Sequence, residues 1–473
     1  CSFVLNPNRI MFIQQLYTSC LAEAAYYIES DGQAAIIDPI RETTPYLSLC
    51  EQRHSKITHI FETHFHADFI SGHIDLAKQT GAKIVYGPEA NTNYPVYNAK
   101  DGEEFKIGKL TIKAIHTPGH TLESTCYLLL NENNQPHCIF SGDTLFVGDV
   151  GRPDLLDGSG ISKEFLAGKL FDSLNTKIKV LPDNVIVYPA HGPGSACGKN
   201  IGKETWSTIG QQKQSNYYLK ENNREAFIKN LTTGIMPPPM YFFEDARINK
   251  QGYQPIDEVV LRNAKPLSIE KFKEHIQQGA LLLDSRNADG FEKGFIPDAV
   301  NIGLNGQFAN WLGTLIPIKQ KVVLLTEKGK EEETVIRAAR VGYENIAGYL
   351  EGGIESWKNN GQEFHTISSV DAATFTNLLK TGQYIALDVR KPGEYESSHV
   401  KDSVFVSLSD IPQHYNKLDK SKTYLIYCGG GYRSMIAASL LKKNGFENIV
   451  NVYGGFGKIK DCSISLETSQ PVM

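Results

Sequence analysis

Between Met11 and about residue 230, short apolar runs alternate with turns and with stretches of helical period. Runs rich in β-branched and aromatic side chains predict strands at AAYYIES, AAIID, THIFETH, AKIVYG, LTIKAIH, STCYLLL, CIFSGD and NVIVYPAH. Polar residues able to do chemistry gather where these runs end. Asp38, His64, His116, His120, Asp143 and His191 sit at or just past a strand's carboxyl end, the place where sheet-based folds hold ligands. Many separate elements therefore point at one rim.

The pattern changes after that. TTGIMPPPMYFFEDARINKQGYQPID, residues 231–256, has a proline triplet and no sustained period, which predicts an extended, semi-rigid connector whose aromatic residues pack on a domain surface. Beyond it the chain repeats itself. LLLDSRNADGFEKGFIPDAVNI from Leu281 resembles IALDVRKPGEYESSHVKDSVFV from Ile385, and GYENIAGYLEGGIESW from Gly342 resembles GFENIVNVYGGFGKIK from Gly445. Each copy alternates strands and helices and predicts a small doubly wound α/β unit.

Length and composition fit this division. At 473 residues the chain exceeds the roughly 250–300 that one hydrophobic core supports, so about three domains are expected. The net charge of -5, with acids and bases interspersed, excludes an electrostatic footprint for nucleic acid or for an anionic membrane surface. No apolar run reaches the roughly 18 residues of a membrane span, and CSFVLNPNRI lacks a basic start and a long apolar core, so an unexported chain is expected. The eight cysteines are scattered without a CxxC pair, which argues against a disulfide framework or thiolate zinc site and for a reducing cytoplasm.

The histidines carry the first chemistry. THFHADFISGH supplies His64, His66 and Asp68, then Phe69 where a further metal ligand might be expected; His120, Asp143 and His191 follow at later strand ends. Imidazoles and carboxylates that converge while leaving positions open suit a catalytic metal. The set resembles the HxHxDH pattern of the metallo-β-lactamase superfamily, whose members usually hold two zinc ions. Phe69 cannot ligate, so a binuclear site is not expected, and a mononuclear site of two histidines and one carboxylate suits non-haem Fe(II) and O₂.

HADFISGH, SGDTLFVGDVGRPD, PAHGPGS and IMPPPMYF are similar to the persulfide dioxygenases of that superfamily over essentially the first 240 residues. The resemblance implies one Fe(II) per chain held by His64, His120 and Asp143, with His66, Asp68 and His191 in support. Arg152 is placed to meet an anionic substrate or, alternatively, to pair with Asp154. Cys197, six residues after His191 on a Gly-rich, Lys-flanked turn, is a candidate partly exposed nucleophile able to accept sulfane sulfur, or else a packed thiol.

The last repeat carries the second chemistry. YCGGGYRSM places Cys428, Gly429, Gly430, Gly431, Tyr432, Arg433 and Ser434 directly after a strand. A glycine-rich turn of this kind aims backbone N–H groups at the sulfur, and the next helix adds its positive end. With Asp388 and Arg390 it resembles a rhodanese domain, which implies that Cys428 carries a persulfide and that Arg433 belongs to its active loop; the Cys-x₄-Arg spacing is shorter than the Cys-x₅-Arg loop of phosphatases. In the middle repeat, LLTEKGKEEETVIRAAR puts Leu325 or Thr326 in the nucleophile's place and brings Glu331, Glu332 and Glu333, so this copy is expected to be catalytically silent.

The expected architecture is α/β: a metallo-β-lactamase αββα sandwich over residues 11–235, a linker over 236–258, an inactive rhodanese-like doubly wound domain over 259–364 and an active one over 365–465. The resemblance to fused persulfide dioxygenase–rhodanese proteins implies oxidation of a thiol persulfide by O₂ to sulfite, then sulfur transfer from Cys428 to sulfite, giving thiosulfate in sulfide detoxification. A homo-oligomer is expected, with no nucleic acid and no membrane as partner. The rivals are a zinc thioester hydrolase of the glyoxalase II kind and a non-enzymatic persulfide carrier or sensor.

Overall fold

In the computed structural model, which describes residues 11–155 and 160–468, the apolar runs pair into two six-stranded sheets; the stretch read above for a leader, residues 1–10, lies outside the described residues. The first sheet runs in chain order: β1 (Phe12–Thr18), β2 (Glu23–Ser30), β3 (Gln33–Ile37), β4 (Lys56–Phe61), β5 (Lys83–Tyr86) and β6 (Tyr97–Asn98). The second contains β7 (Glu104–Ile107), β8 (Leu110–His116), β9 (Thr125–Leu130), β10 (Pro136–Gly142), β11 (Ile186–Pro189) and β12 (Ser207–Thr208), also in register of sequence. All eight runs predicted from apolar patterning are strands. The four extra strands lacked a signal: β1 reads FIQQLYT, β7 is the half-charged EFKI, and β6 and β12 have two residues each.

The inner faces of the sheets meet in one core. Tyr26, Ile28, Ile37, Phe61 and Val85 of the first pack with Ile107, Ile112, Tyr127, Leu129 and Phe140 of the second. The helix His73–Thr80 lies on the outside of β4 and β5. Helices Lys163–Ser173 and Arg224–Thr232 cover the outer side of the second sheet, where Leu170, Phe227 and Leu231 meet Cys126, Leu128 and Leu130. Residues of β9 alternate between these two cores, which is why its sequence TCYLLL is apolar from Cys126 onward and buried throughout. The result is the αββα sandwich.

The stretch read as an extended connector departs from that expectation. The region around the proline triplet and residues 252–255 are irregular, but each is followed by a helix, Tyr241–Gln251 and Ile256–Asn263 respectively. Tyr241, Phe242, Asp245 and Asn249 of the first helix are buried. YFFEDARINKQ is too short and too mixed for its period to outweigh the neighbouring prolines in a reading of the sequence.

The chain divides into two compact units, the first holding the sandwich with residues up to 258 and 339–342, and the second, residues 259–338 and 343 onward, contains two five-stranded parallel sheets of one topology. In the first, β13 (Pro266–Leu267), β14 (Leu281–Asp284), β15 (Val300–Asn301), β16 (Val322–Leu325) and β17 (Ile346–Leu350) are ordered β13-β17-β16-β14-β15. In the second, β18 (Ser368–Val370), β19 (Tyr384–Asp388), β21 (Val404–Phe405), β22 (Thr423–Tyr427) and β23 (Ile449–Val452) are ordered β18-β23-β22-β19-β21, while β20 (His399–Val400) pairs with β24 (Leu466–Glu467) in a separate ribbon. Among the described residues, no helix is long and apolar enough to cross a membrane.

Candidate metal centre and sulfur loop

Several strand ends of the first unit deliver side chains to a common point, and the rings of His64, His120 and His191 are each held by a local hydrogen bond. Asp38, just past β3 at φ +49, accepts from the Thr63 N–H at 2.7 Å and the Thr63 hydroxyl at 2.8 Å. With its only proton so committed, the Thr63 oxygen accepts from His64 Nδ1 at 2.9 Å, which leaves the His64 Nε2 lone pair facing inward. His120 Nδ1 donates to the Arg152 carbonyl at 2.7 Å and His191 Nδ1 to the Ala22 carbonyl at 3.1 Å, so their Nε2 atoms face inward as well. Partners of this kind fix the tautomer and orientation that a metal ligand needs.

The inward atoms converge. Asp143 Oδ2 lies 3.4 Å from His120 Nε2 and 3.9 Å from His64 Nε2, and its Oδ1 lies 3.5 Å from His191 Nε2. Ligand atoms of His64, His120 and Asp143 all lie within 4.8 Å of one another, and so do those of His66, Asp68 and His191. His120 Nε2, His191 Nε2, Asp68 Oδ1 and both Asp143 oxygens are buried with no hydrogen-bond partner. Each such atom costs about 1–3 kcal/mol if left uncompensated. A bound cation satisfies several of them together, so the residues present fit a metal.

The electrostatics agree with that fit. Burial, with His66, His120 and His191 nearby, pushes His64 well below the ordinary histidine range and keeps its ring neutral. Burial also acts downward on His191, but the Asp68 and Asp143 carboxylates outweigh it and the net shift is upward. Asp68 is raised, chiefly by burial. Phe69 is fully buried with its ring 4.3 Å from that of His66, so apolar surface stands where a nitrogen donor would be expected. His66 Nε2 lies 3.1 Å from Asp38 Oδ1 and 3.7 Å from Glu62 Oε2, held from behind by acids. His116 is not part of the cluster; its Nε2 meets the Leu122 carbonyl at 2.8 Å.

For Arg152 and Cys197 the structure matches the second of the two readings given for each, the pair with Asp154 and the packed thiol. Arg152 does not face the centre as a free cation: its guanidinium is paired with both Asp154 oxygens at 2.6 and 2.7 Å and caps the carbonyls of Ala196 and Met236. It serves the site through its backbone, which holds His120. Cys197 is not partly exposed. It is buried, and burial together with Asp68 and Asp143 pushes its thiol well up, although its sulfur lies in one cluster with Asp143 and His191. A Gly-rich turn beside a lysine indicates exposure, but this turn folds inward: the Arg152 N–H bonds the Cys197 carbonyl at 2.9 Å.

Sequence reasoning missed Asn249. From the helix after the proline triplet its amide donates to the carbonyls of His66 at 2.7 Å and Phe69 at 2.8 Å, and accepts from the Ser71 N–H at 3.0 Å. Tyr253 adds a hydroxyl bond to the Ser71 carbonyl. One side chain thus closes the loop that presents His66 and Asp68. An asparagine in a helix carries no such signal until the partner loop is known.

In the last repeat, Cys428 follows the final residue of β22 and is buried, with its Sγ 3.1 Å from the Gly431 N–H and 3.7 Å from Ser434 Oγ. Gly431 has φ +108, a conformation that a side chain would strain, and it starts the helix Tyr432–Lys443. The Phe456 N–H holds the Cys428 carbonyl at 2.6 Å. Arg433 is not free to meet an anion: Glu394 takes both of its terminal nitrogens at 2.6 and 2.8 Å. Burial pushes Glu394 up, yet the Arg433 contacts outweigh this and hold the carboxyl below the usual glutamate range.

The Metallo-beta-lactamase superfamily profile matches residues 19–191, and the Rhodanese-like domain profile matches residues 268–360 and 371–462. A solved structure described as a metallo-beta-lactamase from Staphylococcus aureus subsp. aureus COL is similar with a TM-score of 0.64 and 34% sequence identity, covering 72% of this chain and 99% of that one. A probable hydroxyacylglutathione hydrolase of Schizosaccharomyces pombe is 29% identical over 220 residues, 42% of this chain and 81% of the relative. A hydroxyacylglutathione hydrolase of Rhizobium etli is 34% identical over 165 residues, 34% of this chain; the chain spans 58% of that relative's length.

Proposed function

Because the chain belongs to the metallo-β-lactamase superfamily and carries two rhodanese-like domains, we propose that it is a persulfide dioxygenase joined to a sulfurtransferase. In this reading His64, His120 and Asp143 hold one Fe(II), supported by His66, Asp68 and His191. The ion supplies positions for O₂ and for a thiolate sulfur beside a two-histidine, one-carboxylate set. Thr63 and the Arg152 carbonyl keep the two rings in the ligating tautomer, and Asn249 keeps the loop of His66 and Asp68 closed.

The overall reaction balances as RSSH + O₂ + H₂O giving RSH + SO₃²⁻ + 2H⁺. At the second site the Cys428 thiolate attacks the terminal sulfur of a persulfide, the donor S–S bond breaks and RSH leaves; sulfite then takes that sulfur, giving thiosulfate and restoring the thiolate. Residence in one chain raises the effective concentration of each site for the other's product.

The observation that carries this reading is the pairing, in one chain, of a two-histidine, one-carboxylate cluster, in which His120 Nε2 and both Asp143 oxygens lack a hydrogen-bond partner, with a cysteine whose sulfur faces the Gly431 N–H. A zinc thioester hydrolase is the second reading, supported by the two hydroxyacylglutathione hydrolase relatives and by the convergence of His66, Asp68 and His191. Protein made without oxygen and analysed for metal separates them. One iron per chain, O₂ uptake that follows added glutathione persulfide, and thiosulfate as product are expected. Two zinc ions, with thioester hydrolysis and no O₂ uptake, would establish the hydrolase instead.

A further inference from the structure

The helix Tyr432–Lys443, whose start carries the Cys428 loop, is buried at every residue from Ser434 to Leu441. A helix covering one face of a sheet ordinarily shows one apolar stripe and a polar outer side. Its counterpart in the silent repeat, Glu331–Ala339, does so: Thr334, Val335, Ala338 and Ala339 are buried and the rest are not. The helix in the active repeat has cover on its outer side, and the silent repeat supplies it. The edge strand β15 packs on it, and the Asn301 N–H donates to Ser439 Oγ at 2.9 Å.

The same surface reaches the sulfur loop. Tyr432 donates its hydroxyl to the Gly303 carbonyl at 2.7 Å, and its ring lies on Gly306, where an added Cβ would meet ring carbons at 2.5 Å. Only a residue without a side chain gives that ring its seat. A second tie leaves from beneath the sulfur: Ser434 Oγ bonds Asn451 Oδ1 at 2.7 Å, Asn451 Nδ2 bonds Ser369 Oγ at 3.2 Å, and Ser369 donates to Glu292 of the silent repeat.

We propose that the silent repeat is a positioning half of the sulfur site, and that Tyr432, seated on Gly303 and Gly306, fixes the loop conformation in which the Gly431 N–H faces Cys428 Sγ. A donor held at that place stabilises negative charge on the sulfur both before it attacks and after it is released. The catalytic meaning rests on the sulfurtransferase reading; the loop geometry does not.

The test uses the full chain and two variants, Tyr432→Phe, which removes one hydroxyl, and Gly306→Ala, which unseats the ring. The rate of iodoacetamide alkylation at Cys428, read by peptide mass spectrometry across pH, should fall at neutral pH about three- to tenfold in Tyr432→Phe, the loss of one hydrogen bond. In Gly306→Ala the fall should be at least as large. The midpoint of the alkylation pH profile should move upward in both, with the thermal unfolding midpoint of Tyr432→Phe lowered by no more than about 4 °C, the worth of one hydrogen bond. For sulfur transfer to sulfite, kcat should fall while KM stays. Wild-type alkylation rates and profile in Tyr432→Phe overturn the proposal, whatever Gly306→Ala does to folding. Loss of the sulfurtransferase reading would show differently, as transfer that survives Cys428→Ser while alkylation still responds to Tyr432→Phe.

Discussion

The two repeats of the second unit share a scaffold and part most sharply at one loop. Asp284 holds Arg286 bidentately and Arg286 reaches the Gly294 carbonyl; Asp388 holds Arg390 in the same way and Arg390 reaches the Ser398 carbonyl. Strand register places Asp284 beside Leu325 and Asp388 beside Tyr427, so Thr326 stands where Cys428 does. The loops then diverge. Tyr432 begins the helix four residues after Cys428, whereas Glu331 begins it five after Thr326, and Glu327 takes the Asn287 N–H and amide at 3.2 and 2.9 Å where the other loop has glycine. Scaffold is therefore separable from the loop it carries: the same buried ion pair and sheet can hold either a glycine turn around a cysteine or an acidic one.

The sharpest break is at the nucleophile. Cys428→Ser should lower sulfur transfer at least about a hundredfold, as expected when a covalent nucleophile is removed, and shift the product from thiosulfate to sulfite while O₂ uptake persists. Thr326→Ser should change neither. Chromatographic separation of sulfite and thiosulfate, run beside an oxygen electrode, reads both outcomes.

Next in size is the shared scaffold, where the repeats should respond alike. Asp284 and Asp388 are fully buried, and neutralising either leaves a buried guanidinium without its counter-charge. Asp284→Asn and Asp388→Asn should each cost about 3 kcal/mol, the low end for breaking one side of a buried pair. Urea unfolding of the two variants measures it. A large loss in one and none in the other would mean that the ion pair belongs to the chemistry of one repeat and not to the frame of both.

The Arg433–Glu394 pair is a smaller difference between the copies. Glu394 stands six residues after Asp388, and Gly290 holds the corresponding place after Asp284, so only the active copy ties its loop to the neighbouring helix by charge. The folded Glu394 pKa is depressed, so the pair's stabilisation is fully present above the ordinary glutamate range and is lost as pH falls through the lowered value. Glu394→Gln should lower transfer about two- to fivefold at neutral pH, consistent with a partly exposed pair worth under about 1 kcal/mol. The wild-type chain should show an acid limb in its rate profile as Glu394 is protonated, and Glu394→Gln should lack it.

What the sequence made legible follows from how each feature is built. The strand ends bearing His64, His120, Asp143 and His191 were readable because apolar runs fix where strands stop, and CGGGYR was readable because a turn of N–H groups demands glycine locally. Neighbours in sequence leave Arg152 and Cys197 open between a reactive and a structural role and put Arg433 in the active loop, but their states depend on Asp154, an inward-folded turn and Glu394. Asn249 and the Gly303–Gly306 seat of Tyr432 lie about 180 and 130 positions from what they hold. Periodicity has no access to separations of that kind.

The smallest expected effect is the most direct probe of how far loop chemistry alone makes the difference. Thr326→Cys restores a thiol at the register position of Cys428, yet it should give no measurable sulfur transfer in a Cys428→Ser background. Glu327 beside it adds negative charge where a thiolate needs donors, and that carboxylate already takes the Asn287 N–H and amide. Adding Glu327→Gly and deleting Lys328 shortens the loop to the active length and frees the N–H groups, and alkylation at position 326 should then rise above that of Thr326→Cys alone. Transfer from Thr326→Cys by itself would show that the scaffold, and not the turn, activates sulfur in this fold.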